Sequence, residues 1–350
     1  MVRMLKIVAF LFFCAVDGYS QWIGAWDVAS GRMVASTGID VRSSSEDVFW
    51  FDRNPTNGQV LCASSNGLWT IDSPSHFELV QRYLNESEFI MPHQSRFIPS
   101  MDAVISIGYR EKADGSALLA NGIVNVIKFN NEHSLKSFDL GPVDYKLAIL
   151  RNGDIVEANK SFIKLRRRIG DSEWGAASEF EHSDGKITEM KDLGGDSLIA
   201  VWTASTFSVV NVLTKSVDLK VVKPAKVYDS WAATPVLSPD SSQIIVNERR
   251  ANGSFVLSVY SLKTKSNMPV SQIELGDKWL SGMAFSPSGK HLAIAFGEDT
   301  QVVIYTSATW AIYKKLKVPK KHTDDNSQHP QIIYSADGKR IYVYFINPGC

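Results

Sequence analysis

Two tryptophans in the second half of the chain have similar polar surroundings, Trp231 within YDSWAAT and Trp279 within GDKWLSG. Exposed indoles can anchor a protein partner or stack on a sugar or another planar ligand, because each offers a large flat apolar face and one N–H donor. The competing interpretation is that both pack inside the molecule and bind nothing. The choice between them depends on the elements that position the two side chains.

The ionisable residues give only weak indications of a metal site or a catalytic site. The segment HTDDNSQH at 322–329 holds His322, Asp324, Asp325 and His329, types that suit a divalent cation, but their spacing matches no compact metal motif. The sequence contains no Gly-x-Ser-x-Gly, His-Glu-x-x-His or phosphate-binding glycine loop. We expect no metal, no cofactor and no catalysis. The alternative is a hydrolase or lactonase whose site is assembled from distant parts of the chain.

Residues 1–20 have the composition of a secretory signal peptide. Arg3 and Lys6 precede an apolar run at 7–16, and the small residues Gly18 and Ser20 follow at the spacing that a signal peptidase accepts. The run is too short to cross a bilayer comfortably, so an uncleaved anchor is the alternative that we favour less. We expect cleavage after Ser20 and a secreted or periplasmic protein that is not transmembrane once cleaved.

Three segments in the C-terminal half repeat one pattern: a short apolar run, a tight Ser-rich turn and a longer apolar run. They are PVLSPDSSQIIVNE (235–248), MAFSPSGKHLAIAF (283–296) and IIYSADGKRIYVYF (332–345). This pattern is typical of a β-hairpin. The turns begin 48 and 49 residues apart, close to the length of a four-stranded propeller blade.

The same pattern extends upstream in a weaker form. Four further units begin near residues 50, 97, 147 and 190. The unit begun at 331–350 has only two strands, and residues 22–37 supply the missing two. We therefore predict an all-β fold, a seven-bladed β-propeller of four-stranded antiparallel blades, whose N-terminal strands pair with the C-terminal strands and close the last blade. Residues 21–350 form a single domain in this prediction.

The Ser-Pro-Asp/Ser hairpins, together with Trp-Asp-x-x-x-Gly at 26–31, resemble WD40-like β-propeller repeats, particularly those of exported bacterial proteins. The resemblance covers essentially all of residues 22–350. It implies the fold and says little about function, because one fold carries many functions. The sequence departs from the eukaryotic consensus, since most units lack both the Gly-His start and the Trp-Asp end.

In such propellers, the loops entering each innermost strand share one face with the loops joining the second strand to the third. We call this the top face. Counting back from each hairpin turn gives one rim position per blade. The rim residues that we predict to contact a partner are Trp231, Trp279, His93, His329, Asp144 and Lys186. The two tryptophans should be neighbours, since they occupy matching positions in successive units.

The amino-acid composition of the chain excludes some classes of function. The chain has 37 basic and 37 acidic residues, so it is no general nucleic-acid binder. Its hydrophobic content of 44% is that of a soluble globular protein. We predict an exported, monomeric binding scaffold that engages a protein or a cell-envelope component through the top face. Carbohydrate recognition by the same tryptophans is an alternative, as is a hydrolase or lactonase with its site at the channel mouth.

Cys62 and Cys350 are the two cysteines that remain after signal cleavage. Cys62 belongs to the second strand of the first blade and Cys350 follows the second strand of the last, so closure of the ring makes their blades neighbours. An oxidising compartment would permit a disulfide between them, worth about 4 kcal/mol for so long a loop. The alternative is that Cys62 is a buried apolar side chain.

Overall fold

The computed structural model describes a defined set of segments. They are residues 21–39, 50–54, 56–64, 67–73, 76–83, 90–110, 121–128, 135–142, 146–222, 235–278, 280–296, 301–317 and 328–346. The helix found within them is a single 3₁₀ turn, Pro99–Met101. None of these segments contains a helix long and apolar enough to cross a membrane.

The described residues form 28 strands, arranged as seven four-stranded antiparallel sheets. The chain begins with β1 (Gln21–Asp27) and β2 (Met33–Ile39). Blade 1 contains β3 (Trp50–Arg53), β4 (Val60–Ser64), β5 (Gly67–Ser73) and β6 (His76–Tyr83). Blade 2 contains β7 (Ile90–Ile98), β8 (Ala103–Arg110), β9 (Asn121–Lys128) and β10 (Leu135–Pro142). Blade 3 contains β11 (Lys146–Ile149), β12 (Ile155–Asn159), β13 (Phe162–Arg166) and β14 (Ser178–Glu181).

The second half of the chain continues the series. Blade 4 contains β15 (Ile187–Asp192), β16 (Leu198–Thr203), β17 (Thr206–Asn211) and β18 (Ser216–Val222). Blade 5 contains β19 (Val236–Leu237), β20 (Gln243–Arg249), β21 (Phe255–Ser261) and β22 (Ser271–Gly276). Blade 6 contains β23 (Leu280–Phe285), β24 (His291–Phe296), β25 (Gln301–Thr306) and β26 (Ile312–Lys317). Blade 7 starts with β27 (Gln328–Tyr334) and β28 (Arg340–Ile346).

The two ends of the chain share blade 7, whose strand order is β27, β28, β1 and β2. Strand β1 pairs antiparallel with β28, from Gln21 opposite Ile346 to Asp27 opposite Arg340. The N-terminal strands thus supply the outer half of the blade whose inner half ends the described chain.

The first strand of each blade is innermost and lines a central channel. These strands contact one another between neighbouring blades: β3 with β7, β7 with β11, β11 with β15, β19 with β23, β23 with β27 and β27 with β3. Blades 4 and 5 join through a shared apolar cluster that includes Leu193, Phe207, Ile244 and Val246. The seven sheets therefore form a ring, and the prediction of a seven-bladed all-β propeller is confirmed.

The sequence of the middle strands explains why the sheets stack face to face. The segment from Leu292 to Phe296 is buried at every position, so both faces of β24 pack against neighbouring blades. Outer strands such as β22 instead alternate buried and exposed residues, as strands with one solvated face do. Burial of each large apolar side chain contributes about 1.5 to 3 kcal/mol, and this packing holds neighbouring blades together.

The hairpins between first and second strands define the bottom face, and their serines explain the repeated motif. In three equivalent turns the first serine accepts, at its hydroxyl oxygen, the amide N–H five residues later. The pairs are Ser238 with Gln243 (2.9 Å), Ser286 with His291 (3.0 Å) and Ser335 with Arg340 (2.9 Å). The hydroxyl thus satisfies a backbone donor that the tight turn would otherwise leave unpaired.

Neighbouring turns also pack on each other. Gly289 and Gly338 both have φ of +70°. A Cβ added at Gly289 would lie 3.6 Å from Pro239, and one added at Gly338 would lie 3.5 Å from Pro287, which is ordinary van der Waals distance. In both cases the proline belongs to the preceding blade. Blade 5 places Ser241, with φ of +55°, at the corresponding position. The Ser-Pro-x-Gly pattern therefore serves both the turn itself and the seam to the next blade.

Candidate functional site

Part of the predicted rim lies outside the described residues. Trp231, Trp279 and Asp144 are among the positions that are not described, so the expected neighbourhood of the two tryptophans stays a prediction. The described part of the top face is best defined beside blade 3. There the His182 amide donates to the Ser161 carbonyl, which brings the loop entering blade 4 against the turn between β12 and β13.

The two predicted rim histidines fall at irregularities in the innermost strands. In β7, Pro92 pairs with Gly108 and Gln94 with Ile107, so His93 is the extra residue of a β-bulge. In β27, the register shifts between Gln328 and Gln331, and His329 lies within that shift. Both bulges occur near the top ends of their strands.

Two further blades repeat the feature with hydroxyl residues. The bulge residue is Thr188 in β15 and Ser281 in β23. Each hydroxyl donates to a carbonyl on the adjacent second strand, Thr188 to Trp202 at 3.2 Å and Ser281 to Ala295 at 3.0 Å. Bulges re-aim side chains and are common beside binding sites and barrel rims. Blades 2, 4, 6 and 7 thus share one deviation from regular pairing, and it lies at the channel mouth.

Lys186 is exposed, directly before the start of β15. It therefore lies at the entry to the innermost strand of blade 4. Its role in binding is a prediction.

A buried polar cluster orders the loop that carries Lys186. His182 Nε2 lies 3.7 Å from Asp184 Oδ2, and Lys220 forms a salt bridge with the other oxygen of Asp184. The hydroxyls of Thr206 and Ser208 donate to Asp184 Oδ2 at 3.4 and 3.5 Å. Three side chains of blade 4, those of Lys220, Thr206 and Ser208, thereby hold the loop through Asp184.

The electrostatics of this cluster follow from burial and the lysine. Burial lowers the pKa of His182, and the charge of Asp184 only partly opposes it. For Asp184 burial acts to raise the pKa, but the hydrogen bond and charge of Lys220 outweigh it, and the pKa is lowered. Although serine, histidine and aspartate lie together here, the Ser208 hydroxyl bonds to the aspartate instead of the histidine. His182 Nε2 makes no hydrogen bond to that hydroxyl, so the cluster does not have the connectivity of a catalytic triad.

A second polar network, which sequence reasoning missed, crosses the channel near the bottom face. Arg151 Nη2 donates to Asp52 Oδ1 at 3.3 Å, and its Nε donates to the Gly194 carbonyl at 3.0 Å. Arg53 Nη1 donates to the Ser335 carbonyl at 3.1 Å. These contacts connect blade 3 to blades 1 and 4, and blade 1 to blade 7.

The inner part of this network pairs blades 2 and 4. Arg96 Nη2 lies 2.5 Å from Asp192 Oδ1, and the Gln94 amide donates to Asp192 Oδ2. Gln94 Oε1 in turn accepts the Ile149 amide N–H at 2.7 Å. All of these groups lie on or beside innermost strands, so the network lies at the channel and connects blades 1, 2, 3, 4 and 7.

One feature of the sequence could have predicted this polar network. Strand β3 ends in Asp52-Arg53, whereas the innermost strands of blades 5 and 6 end in the apolar residues Leu237 and Phe285. Charged residues at positions that are apolar in sister repeats indicate groups directed to the channel.

Cys62 is fully buried between blades 1 and 7, in a cluster that includes Ile23, Tyr342 and Tyr344. Burial raises the pKa of the Cys62 thiol well above its usual range, which makes the thiol a poor nucleophile. Blades 1 and 7 are neighbours, as the disulfide hypothesis requires. Cys350 lies outside the described residues, and the bridge stays a prediction.

Within the described residues, no group of three or more His, Cys, Asp or Glu side chains could hold a metal ion. The segment 322–327, which contains most of the proposed cation-binding types, is not described.

The ring of seven four-stranded sheets defines the class of this protein: it is a seven-bladed β-propeller. The chain matches no protein-family model and no curated protein sequence. The WD40-like repeat type is compatible with the architecture and stays a prediction.

Proposed function

We propose that this protein is an exported β-propeller scaffold that binds a protein or a component of the cell envelope through its top face. The observation that carries the proposal is the set of β-bulges at the top ends of four innermost strands, two of which fall on His93 and His329. A β-bulge changes the direction of the side chain that it carries. Bulges at the same place in several blades therefore favour a binding surface at that end of the channel.

The contrast between the two faces supports the same choice. The bottom turns of blades 5, 6 and 7 are short and nearly identical, and Arg151 crosses the channel just inside them. Segments entering the innermost strands instead vary widely in length, from residues 143–145 to residues 223–235. Variable loops on a rigid scaffold are where binding surfaces concentrate. Export rests on the signal-like composition of residues 1–20.

The test is an affinity pull-down from the native host's envelope or secreted fraction, with residues 21–350 as bait. The rim variant is Trp231→Ala/Trp279→Ala. A matched control, Lys290→Ala/Lys339→Ala, removes two exposed side chains from equivalent bottom turns. All baits must show the same unfolding midpoint before comparison.

We expect one protein to be captured by the wild type and the bottom-face control and lost with the rim variant. Its purified form should then bind the wild type and the control with equal affinity. Identical captures by all three baits would exclude the top-face tryptophans as the contact. Loss with the bottom-face control alone would place the binding surface on the opposite face.

A further inference from the structure

We propose that the central channel contains a binding site for one small anion, at the guanidinium of Arg96. The site lies below the top rim and is independent of the proposed partner binding. Its evidence is an imbalance between hydrogen-bond donors and acceptors in the network that crosses the channel.

The first carboxylate of the network has both oxygens in use. Asp52 Oδ2 accepts the Phe97 amide N–H at 2.8 Å, and Oδ1 accepts from Arg151 at 3.3 Å. Asp52 is 5% exposed, so little water can compete for these positions. Asp52 therefore binds blade 2 to blade 3 and contributes no contact to Arg96.

The second carboxylate is more fully used. Asp192 Oδ1 accepts from Arg96 Nη2 at 2.5 Å and from the Gly194 amide at 2.7 Å, while Oδ2 accepts from Gln94. Three donors converge on this one group. Asp192 is thus occupied on both oxygens.

Arg96 retains donors that these acceptors do not satisfy. Its side chain is only 5% exposed, yet Nε and Nη1 have no hydrogen-bond partner among the residues that the structure describes. A buried donor without a partner costs about 1 to 3 kcal/mol, more for a charged group. Buried groups of this kind are normally completed by a water molecule or an ion.

The charges of the network favour an ion over a water molecule. The network contains three guanidinium groups, those of Arg53, Arg96 and Arg151, against the carboxylates of Asp52 and Asp192. Burial first, and then the charge of Arg151, lowers the pKa of Arg53, and the charge of Asp52 only partly opposes this. An anion beside Arg96 balances the remaining charge, whereas water supplies only an acceptor.

The occupant is accordingly a halide or a single carboxylate group. The probes are sodium chloride and sodium formate, each titrated against sodium gluconate at constant ionic strength, since gluconate is too bulky for a buried site. The readout is the thermal unfolding midpoint of the purified protein. A ligand that binds only the folded state raises that midpoint with the logarithm of its concentration.

Two variants locate the effect. Arg96→Lys keeps a positive charge beside Asp192 but removes the unpaired Nε and Nη1 donors, so its midpoint should no longer respond to either probe. Asp192→Asn removes a competing negative charge, so its response should exceed that of the wild type. Lys290→Gln, an exposed bottom-face change, is the control and should respond like the wild type.

A response to formate but not chloride assigns the site to carboxylate groups, and a response to both assigns it to small anions in general. The proposal is overturned if neither probe raises the wild-type midpoint above the gluconate series. It is also overturned if Arg96→Lys responds as the wild type does. If that variant does not fold, crystals of the wild type soaked separately in bromide and in formate give the answer: anomalous bromide density or formate density beside Arg96 supports the site, and the absence of both refutes it.

Discussion

Asp192 shows how much of this molecule depends on single buried polar residues. Its carboxylate receives donors from Arg96, Gln94 and the Gly194 amide, and its side chain is 2% exposed. We predict that Asp192→Ala lowers the free energy of unfolding by about 3 to 5 kcal/mol, since it leaves the Arg96 charge buried and unpaired. Urea denaturation measures the loss.

The control is Glu274→Ala, which breaks the exposed Arg250–Glu274 pair and should change stability by less than about 1 kcal/mol. Equal effects of the two substitutions would mean that the Arg96–Asp192 pair is solvated and does not join blades 2 and 4.

His182 gives the molecule a pH dependence with a defined sign. Because burial lowers its folded-state pKa, the unfolded chain binds the proton more readily than the folded chain. Its contribution is full above the unfolded pKa of about 6.5 and is lost as the pH falls through the lower folded value. Asp184, whose pKa is lowered, adds a similar loss only in the more acidic range below about 4.

We predict that the wild type loses more stability than His182→Gln between pH 7 and pH 5. The measurement is the free energy of unfolding of both proteins at each pH. The difference between them isolates His182, since the pKa of His291 is also lowered and that residue is present in both. Parallel pH profiles would contradict the assignment.

At the scale of the element, the bottom turns were predictable and their packing was not. Ser, Pro and Gly in PVLSPDSS and its sister segments predict a tight turn from local chemistry alone. Gly289 lies so near Pro239 of the preceding blade that an added Cβ would be 3.6 Å from it, and this approach between two blades cannot be read from local sequence. The Gln94–Asp192 contact could not be predicted from local sequence either, because it joins residues 98 positions apart.

The turn of blade 5 contains a correctable strain. Ser241 has φ of +55°, a region that costs L-residues energy and glycine almost none. Ser241→Gly should raise the free energy of unfolding by about 0.5 to 1 kcal/mol, whereas Gly289→Ala, at φ of +70°, should lower it by about 1 kcal/mol. Chemical denaturation of both variants checks the opposite signs. A destabilised Ser241→Gly protein would show that the backbone is not strained there.

The β-bulges are the part of the candidate site that the period of the sequence repeat could not predict. Counting residues placed His93 and His329 at the rim by position alone. A one-residue irregularity such as that at Thr188 depends on strand pairing, which only the folded sheet establishes.

At the scale of the whole molecule, seven blades could be predicted because each repeats the same four-strand pattern. The pairing of β1 with β28 makes the ring depend on both ends of the chain. Trp26 is fully buried in the cluster between blades 6 and 7, and its indole N–H donates to the Lys317 carbonyl at 3.3 Å.

We therefore predict that a chain lacking residues 21–39 does not persist as a monomer. Loss of these strands exposes the edge of β28 and the apolar surface that Trp26 covers, and free edges promote association. Sedimentation velocity over a range of concentrations measures this, with the complete chain as the control. A truncated chain that remains monomeric with an unchanged unfolding midpoint would refute the dependence of the ring on this pairing.

The most direct test of the whole account is hydrogen–deuterium exchange of the protein with and without its captured partner. A scaffold that binds through the top face should show slower exchange on binding in peptides from 40–49, 182–186 and 223–235, and unchanged exchange in the bottom turns at 238–242 and 286–290. Protection confined to the bottom turns or to the outer strands would contradict the account and move the binding surface elsewhere on the ring.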